Sequence, residues 1–436
     1  MSAGRGPDGA VTPARRAAYE VVRRVFEDGA WADRAFPAAV RRHGLDRRER
    51  AQAQWLAYGA VQRRGTSDHL IELLAERPAS ELDAPLLAAL RLGLYELLYA
   101  SATPDHAAVD QSVKLAKGRT GRRGAGLVNA VLRRAARERD DLLGGLGDET
   151  PAEAAIAHSH PPWLAEMWWS ELGPAAARSL MAADNAPAET ALRVNTLRAD
   201  PVRLLDELAG AGVAIGRPAG PGPAPPEALV VAGPLDESVG AAIDAGLLVA
   251  QSRASIAVVD ALDPRPGNRV LDLCSGPGVK TTQVAARMGD DGAVVSVELD
   301  ARRCAEVGEL CARLGAGCVA VVEGDARDDY GGGYDRVLVD PPCSDLGTLA
   351  SRPDARWRKS RRQVARLAAL QREILESALA ALRPGGRLVY STCTISRREN
   401  EANASVLPGD PDVVQTRPDR DRTEGFFIAA VGHPGA

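Results

Sequence analysis

No apolar run in this 436-residue chain approaches the roughly 18 residues that a membrane-spanning helix needs. The opening Met1-Ser2-Ala3-Gly4-Arg5 lacks the apolar core of a secretory signal. The simplest expectation is a cytoplasmic protein. Cysteine is scarce. The six present include no Cys-x-x-Cys pair and none lies near a histidine at ligand spacing, which argues against a zinc site and a disulfide framework, so no metal is expected. Thiol chemistry in a reducing compartment is left. Also missing are an internal repeat, a dinucleotide-type Gly-x-Gly-x-x-Gly and a phosphate-binding Gly-x-x-x-x-Gly-Lys-Ser/Thr, so a pyrophosphate ligand is not specifically indicated.

What is present describes an ordinary globular protein, 45% hydrophobic and 26% charged, long enough for two or three domains. The net charge of −4 hides an asymmetry. Residues 1–139 carry 24 Lys and Arg against 16 Asp and Glu, a balance of +8 that leaves −12 on the remainder. A basic module on an acidic one suits a polyanionic partner, because Lys and Arg gain affinity by displacing phosphate counterions; a solvated helical face would carry the same charge.

Residues 1–12 are polar and Gly-rich and are expected to be disordered. From 13 to 139 apolar positions recur at three and four residues, as in Ala17-Ala18-Val21-Val22-Val25-Phe26, predicting an all-α bundle of six or seven helices. Its last helix, about 126–139, sets Leu127, Val131 and Leu132 among Arg133, Arg134, Arg137 and Arg139. Residues 140–160 are expected to be an interdomain linker. Residues 161–262 mix helices (163–172 and 175–185) with short strands (191–195, 229–231 and 247–251) in an α+β subdomain, and the Pro-rich run 216–226 must be a loop. From 263 to 436 strands near 269–274, 293–298, 319–322, 335–340 and 387–392 alternate with helices near 281–288, 302–314 and 360–382. That pattern predicts an α/β, doubly wound parallel sheet, whose ligands sit beyond the carboxyl ends of the strands.

The chemistry-bearing residues fall at those ends. Cys274-Ser275-Gly276-Pro277-Gly278-Val279-Lys280 follows the first strand, and its glycines let backbone approach a ligand where a helix offers free N–H groups. Glu298 ends the second strand, where a carboxylate accepts ribose hydroxyls, and Asp325 follows the third, where it can accept from an adenine amino group. Taken singly, each acid reads more readily as a helix cap or a solvated loop residue; the three sites together favour an adenosine-type cofactor. Asp340 closes the fourth strand, held stiff by Pro341-Pro342, and can hydrogen-bond a heterocyclic base. Cys343 and Cys393 end neighbouring strands and are placed to share one cleft, whereas Cys304, Cys311 and Cys318 read as small buried hydrophobes.

These strings resemble the Sun (RsmB-type) branch of the Nol/Nop/Sun family of RNA 5-methylcytosine methyltransferases. The matching blocks are Asp272 to Thr281, Asp340-Pro-Pro-Cys343-Ser344, Arg352-Pro353-Asp354-Ala355-Arg356-Trp357, Ser391-Thr392-Cys393, Glu399-Asn400-Glu401 and Gly425-Phe426-Phe427. In the N-terminal bundle Tyr58-Gly59 and Leu127-Val128-Asn129-Ala130-Val131-Leu132-Arg133 resemble the RNA-binding NusB domain. The resemblance covers nearly the whole chain. It implies S-adenosyl-L-methionine as cofactor, held by Cys274 to Lys280, Glu298, Asp325 and Asp340. Cys393 is implied as nucleophile toward C6 of cytosine, Asp340 as the group that binds the base, and Cys343 as the thiol that assists product release. The implied substrate is small-subunit ribosomal RNA or the assembling subunit, met by a monomer with no membrane attachment. A tRNA methyltransferase and a catalytically weak RNA-binding assembly factor are the competing readings. Arg352, Arg356 and Trp357 are candidates for holding neighbours of a flipped-out base. The chain departs from the family pattern at Ser275-Gly276, at Val279 and at Ser252; a positive φ at Val279 would sit badly with a β-branched side chain.

Overall fold

A computed structural model describes residues 10–100, 103–233, 235 and 237–432. The expected disordered tail falls mostly on residues 1–9, outside the described residues; Thr12 already caps the first helix, accepting from the Arg15 N–H at 3.4 Å. The chain divides into two compact units, residues 1–186 with 349–358, and residues 187–348 with 359–436.

The first unit is helical, with helices at Pro13–Phe26, Ala32–His43, Arg47–Gln62, Arg64–Ala75, Ala84–Tyr99 and Asp105–Arg137, the last broken at Gly121. Local signals set their ends. Pro13 starts the first helix at a position that needs no N–H, Asp46 and Glu49 form a reciprocal capping box, and Gly44 closes a helix in the left-handed conformation. Ala84–Tyr99 is apolar on nearly every side because it runs through the centre, burying Leu86, Leu90, Leu92, Leu94 and Leu97. Its two buried charges are paired: Glu96 takes Arg15 Nε at 3.0 Å and Arg91 Nε reaches Asp68 at 2.7 Å.

Residues 140–160, expected as linker, fold. They carry helices Arg139–Gly144 and Pro151–Ala157, the second opened by a Thr150–Glu153 capping box and burying Ala154 and Ala155. Helices Pro162–Leu172 and Pro174–Ala183 also belong to this helical unit, which therefore continues to Ala186. The polar, acidic composition that suggested a linker belongs to an exposed outer face whose alanines point inward.

The second unit holds two sheets. The smaller is antiparallel, with β1 (Thr190–Val194), β2 (Ile215–Gly216), β3 (Ala228–Val231) and β4 (Leu248–Ala250) in the order β2-β3-β1-β4. The larger contains β5 (Arg269–Leu273), β6 (Ala293–Glu298), β7 (Val319–Glu323), β8 (Tyr334–Val339), β9 (Leu382–Thr392), β10 (Asp412–Gln415) and β11 (Phe427–Gly432), ordered β10-β11-β9-β8-β5-β6-β7. The five strands β5 to β9 are parallel, as the alternation of strand and helix predicts, while β11 and β10 add antiparallel at one edge, so the sheet is mixed. Helices Val279–Arg287, Ala301–Leu314 and Arg361–Ala381 lie close to their predicted positions. Buried Arg193 of β1 ties the two sheets together. It donates to Gln251 Oε1 at 2.7 Å and to Thr282 Oγ1 at 3.2 Å on the helix after β5.

Candidate active site

β5 lies between β8 and β6, so the chain leaves its carboxyl end at the point where connections diverge to either side of the sheet. Cys274 turns with φ +65°, and Gly278 with φ +94° caps the helix Val279–Arg287 without a side chain, leaving the first N–H groups to the site. The positive φ therefore falls on Gly278 and Val279 is the first helical residue; the β-branched side chain is unstrained there and packs with Val249, Leu310 and Leu314. Gly276 is required for a different reason. A Cβ there would lie 2.4 Å from Glu298 Oε2, the atom that accepts the Gly276 N–H at 3.0 Å. Ser275 is anchored on the next strand, its Oγ donating to Val297 O at 3.1 Å and accepting from Ser296 Oγ at 2.7 Å. Ser252 caps its helix by accepting from Ser255 N, so that departure costs no cap.

Four carboxylates converge on this loop. Burial first, and then the charges of Asp340, Glu298, Asp272 and Asp325, push the Cys274 thiol far above its ordinary range. Asp272 is buried under the loop, accepts from Thr281 Oγ1 at 2.6 Å, and is raised to about 7 chiefly by burial. Glu298 also accepts from Asp300 N at 3.1 Å. Asp325 is gripped by Arg327 Nε at 3.0 Å and Nη2 at 2.7 Å, and that bonding lowers it to about 2.

β8 and β9 run side by side in parallel, Val339 opposite Tyr390, so the residues after each emerge together. Asp340 accepts from Lys280 Nζ at 2.6 Å on one oxygen and from Ser391 Oγ at 2.9 Å on the other. Burial alone would lower the Lys280 ammonium, but the Asp340 charge outweighs it and raises it. Cys343 and Cys393 Sγ atoms are 3.3 Å apart, Cys343 buried and Cys393 half-buried. Sharing a hydrogen bond with Cys343, then burial, then the Asp345 and Asp340 charges hold Cys393 well above the ordinary thiol range. For Cys343 the bond to Cys393 lowers the thiol, but burial and the Asp345 and Glu399 charges prevail and raise it. Both are thiols at neutral pH.

Behind the thiols lies a set of residues whose roles the motifs did not spell out. Glu399 accepts the Ser344 N–H at 2.9 Å and Gln371 Nε2 at 3.0 Å, and Ser344 Oγ meets Thr394 Oγ1 at 2.7 Å. Asn400 receives Thr392 Oγ1 at 2.6 Å and donates to Thr394 O at 3.0 Å, and Gly347 N donates to Cys393 O at 3.0 Å. This network fixes the two cysteine loops against each other. The Phe426 ring lies 5.3 Å below Lys280 Nζ. Cys343, Asp345 and Cys393 place one donor atom each within 4.8 Å of one another, the one such group among the described residues; with Lys359 on the carboxylate at 2.8 Å they form a thiol–carboxylate hydrogen-bonded cluster.

The residues proposed to grip neighbouring bases are otherwise employed. Arg356 is fully buried, donating to Ser159 O, Asn185 Oδ1, Asp184 O and Leu349 O, and Trp357 Nε1 donates to Val61 O at 2.8 Å, all within the helical unit. They hold the fold, and only Arg352 of the three is exposed. Cys311 and Cys318 sit in an apolar cluster, as small hydrophobes do.

Three segments match family models: residues 12–137 the NusB family, 160–237 the RsmF/B-like ferredoxin-like domain, and 259–417 the 16S rRNA methyltransferase RsmB/F family. The probable ribosomal RNA small subunit methyltransferase B of Synechocystis sp. is 33% identical, covering 93% of this chain and 91% of its own. The chain belongs to the RsmB/F methyltransferase family. Another relative, ribosomal RNA small subunit methyltransferase B of Erwinia tasmaniensis, is 30% identical over 96% of this chain and 98% of its own. The crystal structure of PH0851 superposes with a TM-score of 0.79 at 27% identity, covering 97% of this chain and 99% of that one. NSun6 from Pyrococcus horikoshii with SFG shares the fold over 63% of this chain and 99% of its own, with a TM-score of 0.56 at 24% identity. Among the described residues no helix is long and apolar enough to cross a membrane.

Proposed function

We propose that this RsmB/F methyltransferase methylates C5 of a cytosine in small-subunit ribosomal RNA through a covalent bond from Cys393 to C6. The observation that carries the reading is the pair of thiols 3.3 Å apart, beside a fixed carboxylate, at the mouth of a Gly-rich loop ringed by acids.

The loop suits an adenosyl cofactor. The space above Gly276 would be filled by any Cβ, Glu298 keeps lone pairs for ribose hydroxyls, and the acids around Cys274 favour a sulfonium cation. S-adenosylmethionine held there supplies the methyl electrophile that C5 takes. Cytosine C5 is too electron-poor to react unaided. Addition of the Cys393 sulfur to C6 makes C5 a carbon nucleophile, and Asp340, bonded by Lys280 and oriented by Ser391, is placed to accept a hydrogen bond from the cytosine amino group. A proton then leaves C5 for water, and the sulfur–C6 bond breaks, its electron pair returning to sulfur, with the Cys343 thiol 3.3 Å from the departing sulfur to assist the release of the methylated base. The family of the relatives and the basic balance of residues 1–139 support ribosomal RNA as substrate, bound by phosphate and shape. The enzyme is read as a cytoplasmic monomer acting on RNA or on an assembling subunit.

The test is bisulfite sequencing of total RNA from a strain lacking this protein, complemented with wild type or Cys393→Ala. One methylcytosine in small-subunit ribosomal RNA should disappear and return only with wild type. An unchanged methylation map would overturn the reading.

A further inference from the structure

Asp345 lies just outside the motif blocks and touches both thiols. Its Oδ1 is 3.4 Å from Cys393 Sγ and 3.8 Å from Cys343 Sγ. Its backbone sits at φ +57°, the left-handed region that aspartate enters more readily than most side-chain-bearing residues. The carboxylate is held by Lys359, whose Nζ binds Asp345 Oδ2 at 2.8 Å and Cys343 O at 3.4 Å, with its side chain 8% exposed. One oxygen of the carboxylate is thus clamped and the other is aimed at the thiols. Among the described residues no other acid is placed against both thiols: Asp340 bonds Lys280 and Ser391, and Glu399 bonds Ser344 and Gln371.

We propose that Asp345 is the acceptor of the Cys393 thiol proton, with Lys359 as its positioning residue. This rests on the reading that Cys393 adds to C6. As the sulfur–C6 bond forms, the S–H proton passes to Asp345 Oδ1 and the C5=C6 electron pair becomes available at C5. When the sulfur–C6 bond breaks, its electron pair returns to sulfur and the proton comes back from Asp345. The proton lost from C5 goes separately to water, so Asp345 and Cys393 end the cycle as they began. In the free enzyme the same contact holds the proton on sulfur, because an anionic acceptor beside a thiol disfavours the thiolate. The Lys359 cation moderates that repulsion.

The charged and titratable groups around the thiols are Cys343, Asp340, Asp345, Glu399, Lys280 and Lys359, and Asp345→Asn removes one of them while keeping its size. Two measurements on the full-length protein test the proposal, with thermal melting to establish that the variant is folded. Iodoacetamide labelling of Cys393, read by peptide mass spectrometry across pH with neither RNA nor cofactor added, should become at least about threefold faster at neutral pH as the thiol pKa falls. Single-turnover methyl transfer should fall by about 10²-fold at neutral pH and recover toward wild type as pH rises and hydroxide replaces the lost base. Lys359→Met removes the cation that moderates the repulsion, so it should slow the labelling, opposite to Asp345→Asn, and lower methyl transfer by a smaller factor. A labelling profile identical to wild type, or a methylation rate unaffected at every pH, would overturn the role. If wild type itself methylates no RNA, the functional reading fails, while the labelling profile still decides whether Asp345 governs the thiol proton.

Discussion

The Gly-rich loop and the thiol cluster adjoin across Lys280 and Asp340, yet they are built in opposite ways. The loop is local. Seven consecutive residues take their shape from backbone conformation, with Cys274 and Gly278 at positive φ and one close approach at Gly276. The cluster is assembled from afar. Cys343 and Cys393 are 50 residues apart, and they meet because β8 and β9 are paired in one register and because Glu399, Asn400 and Gln371 lock the following turns. In the first region a side chain in the wrong place blocks a ligand. In the second, the loss of one partner leaves chemistry half done.

The largest effect should come from splitting the thiol pair. On the proposed mechanism Cys343→Ala leaves Cys393 able to add to C6 but removes the thiol that helps it leave, so a protein–RNA adduct should accumulate. Denaturing gel electrophoresis with labelled RNA would show it, and Cys393→Ala should show none; free turnover by Cys343→Ala without adduct would show that the two thiols do not divide the work.

Gly276→Ala probes the loop. The new methyl would press on Glu298, and S-adenosylmethionine affinity should fall by about tenfold or more, equivalent to about 1.4 kcal/mol, in calorimetric titration. Unaltered affinity would mean that the loop and Glu298 yield together. The smallest effect belongs to Val279→Gly. Since the positive φ is carried by Gly278, cofactor affinity should stay within about twofold, while lost packing and helix propensity should lower stability by about 1 kcal/mol in urea unfolding. A large gain in affinity would restore Val279 as a bulky intruder on the cofactor.

How far each region was legible follows from this contrast. The strand, turn and helix around 269–288 could be read because an apolar run, a Gly-x-Gly turn and an amphipathic run are adjacent in the chain. The antiparallel edge strand β10 was not, since Asp412–Gln415 is largely exposed and carries no continuous apolar signal, whereas β11, Phe427–Gly432, is a buried apolar run whose place beside β9 the chain order does not give. The linker expected at 140–160 folded because buried alanines are enough to seat a short helix and polar outer residues do not forbid one. Trp357 and Arg356 carried the marks of nucleic-acid contacts. They proved to be internal fastenings, because a buried guanidinium can satisfy four backbone and side-chain acceptors at once.

By itself the sequence determined the helical and α/β regions, the positions of the strand ends, and the residue types that gather at them, because periodicity and turn chemistry are properties of neighbours in the chain. Only the tertiary structure decided that the left-handed turn falls on Gly278 and spares Val279, that the two thiols lie 3.3 Å apart, and that Asp345 and Lys359 complete their surroundings. Those facts depend on strand register and on hydrogen bonds between residues far apart in the chain, and no local pattern encodes them.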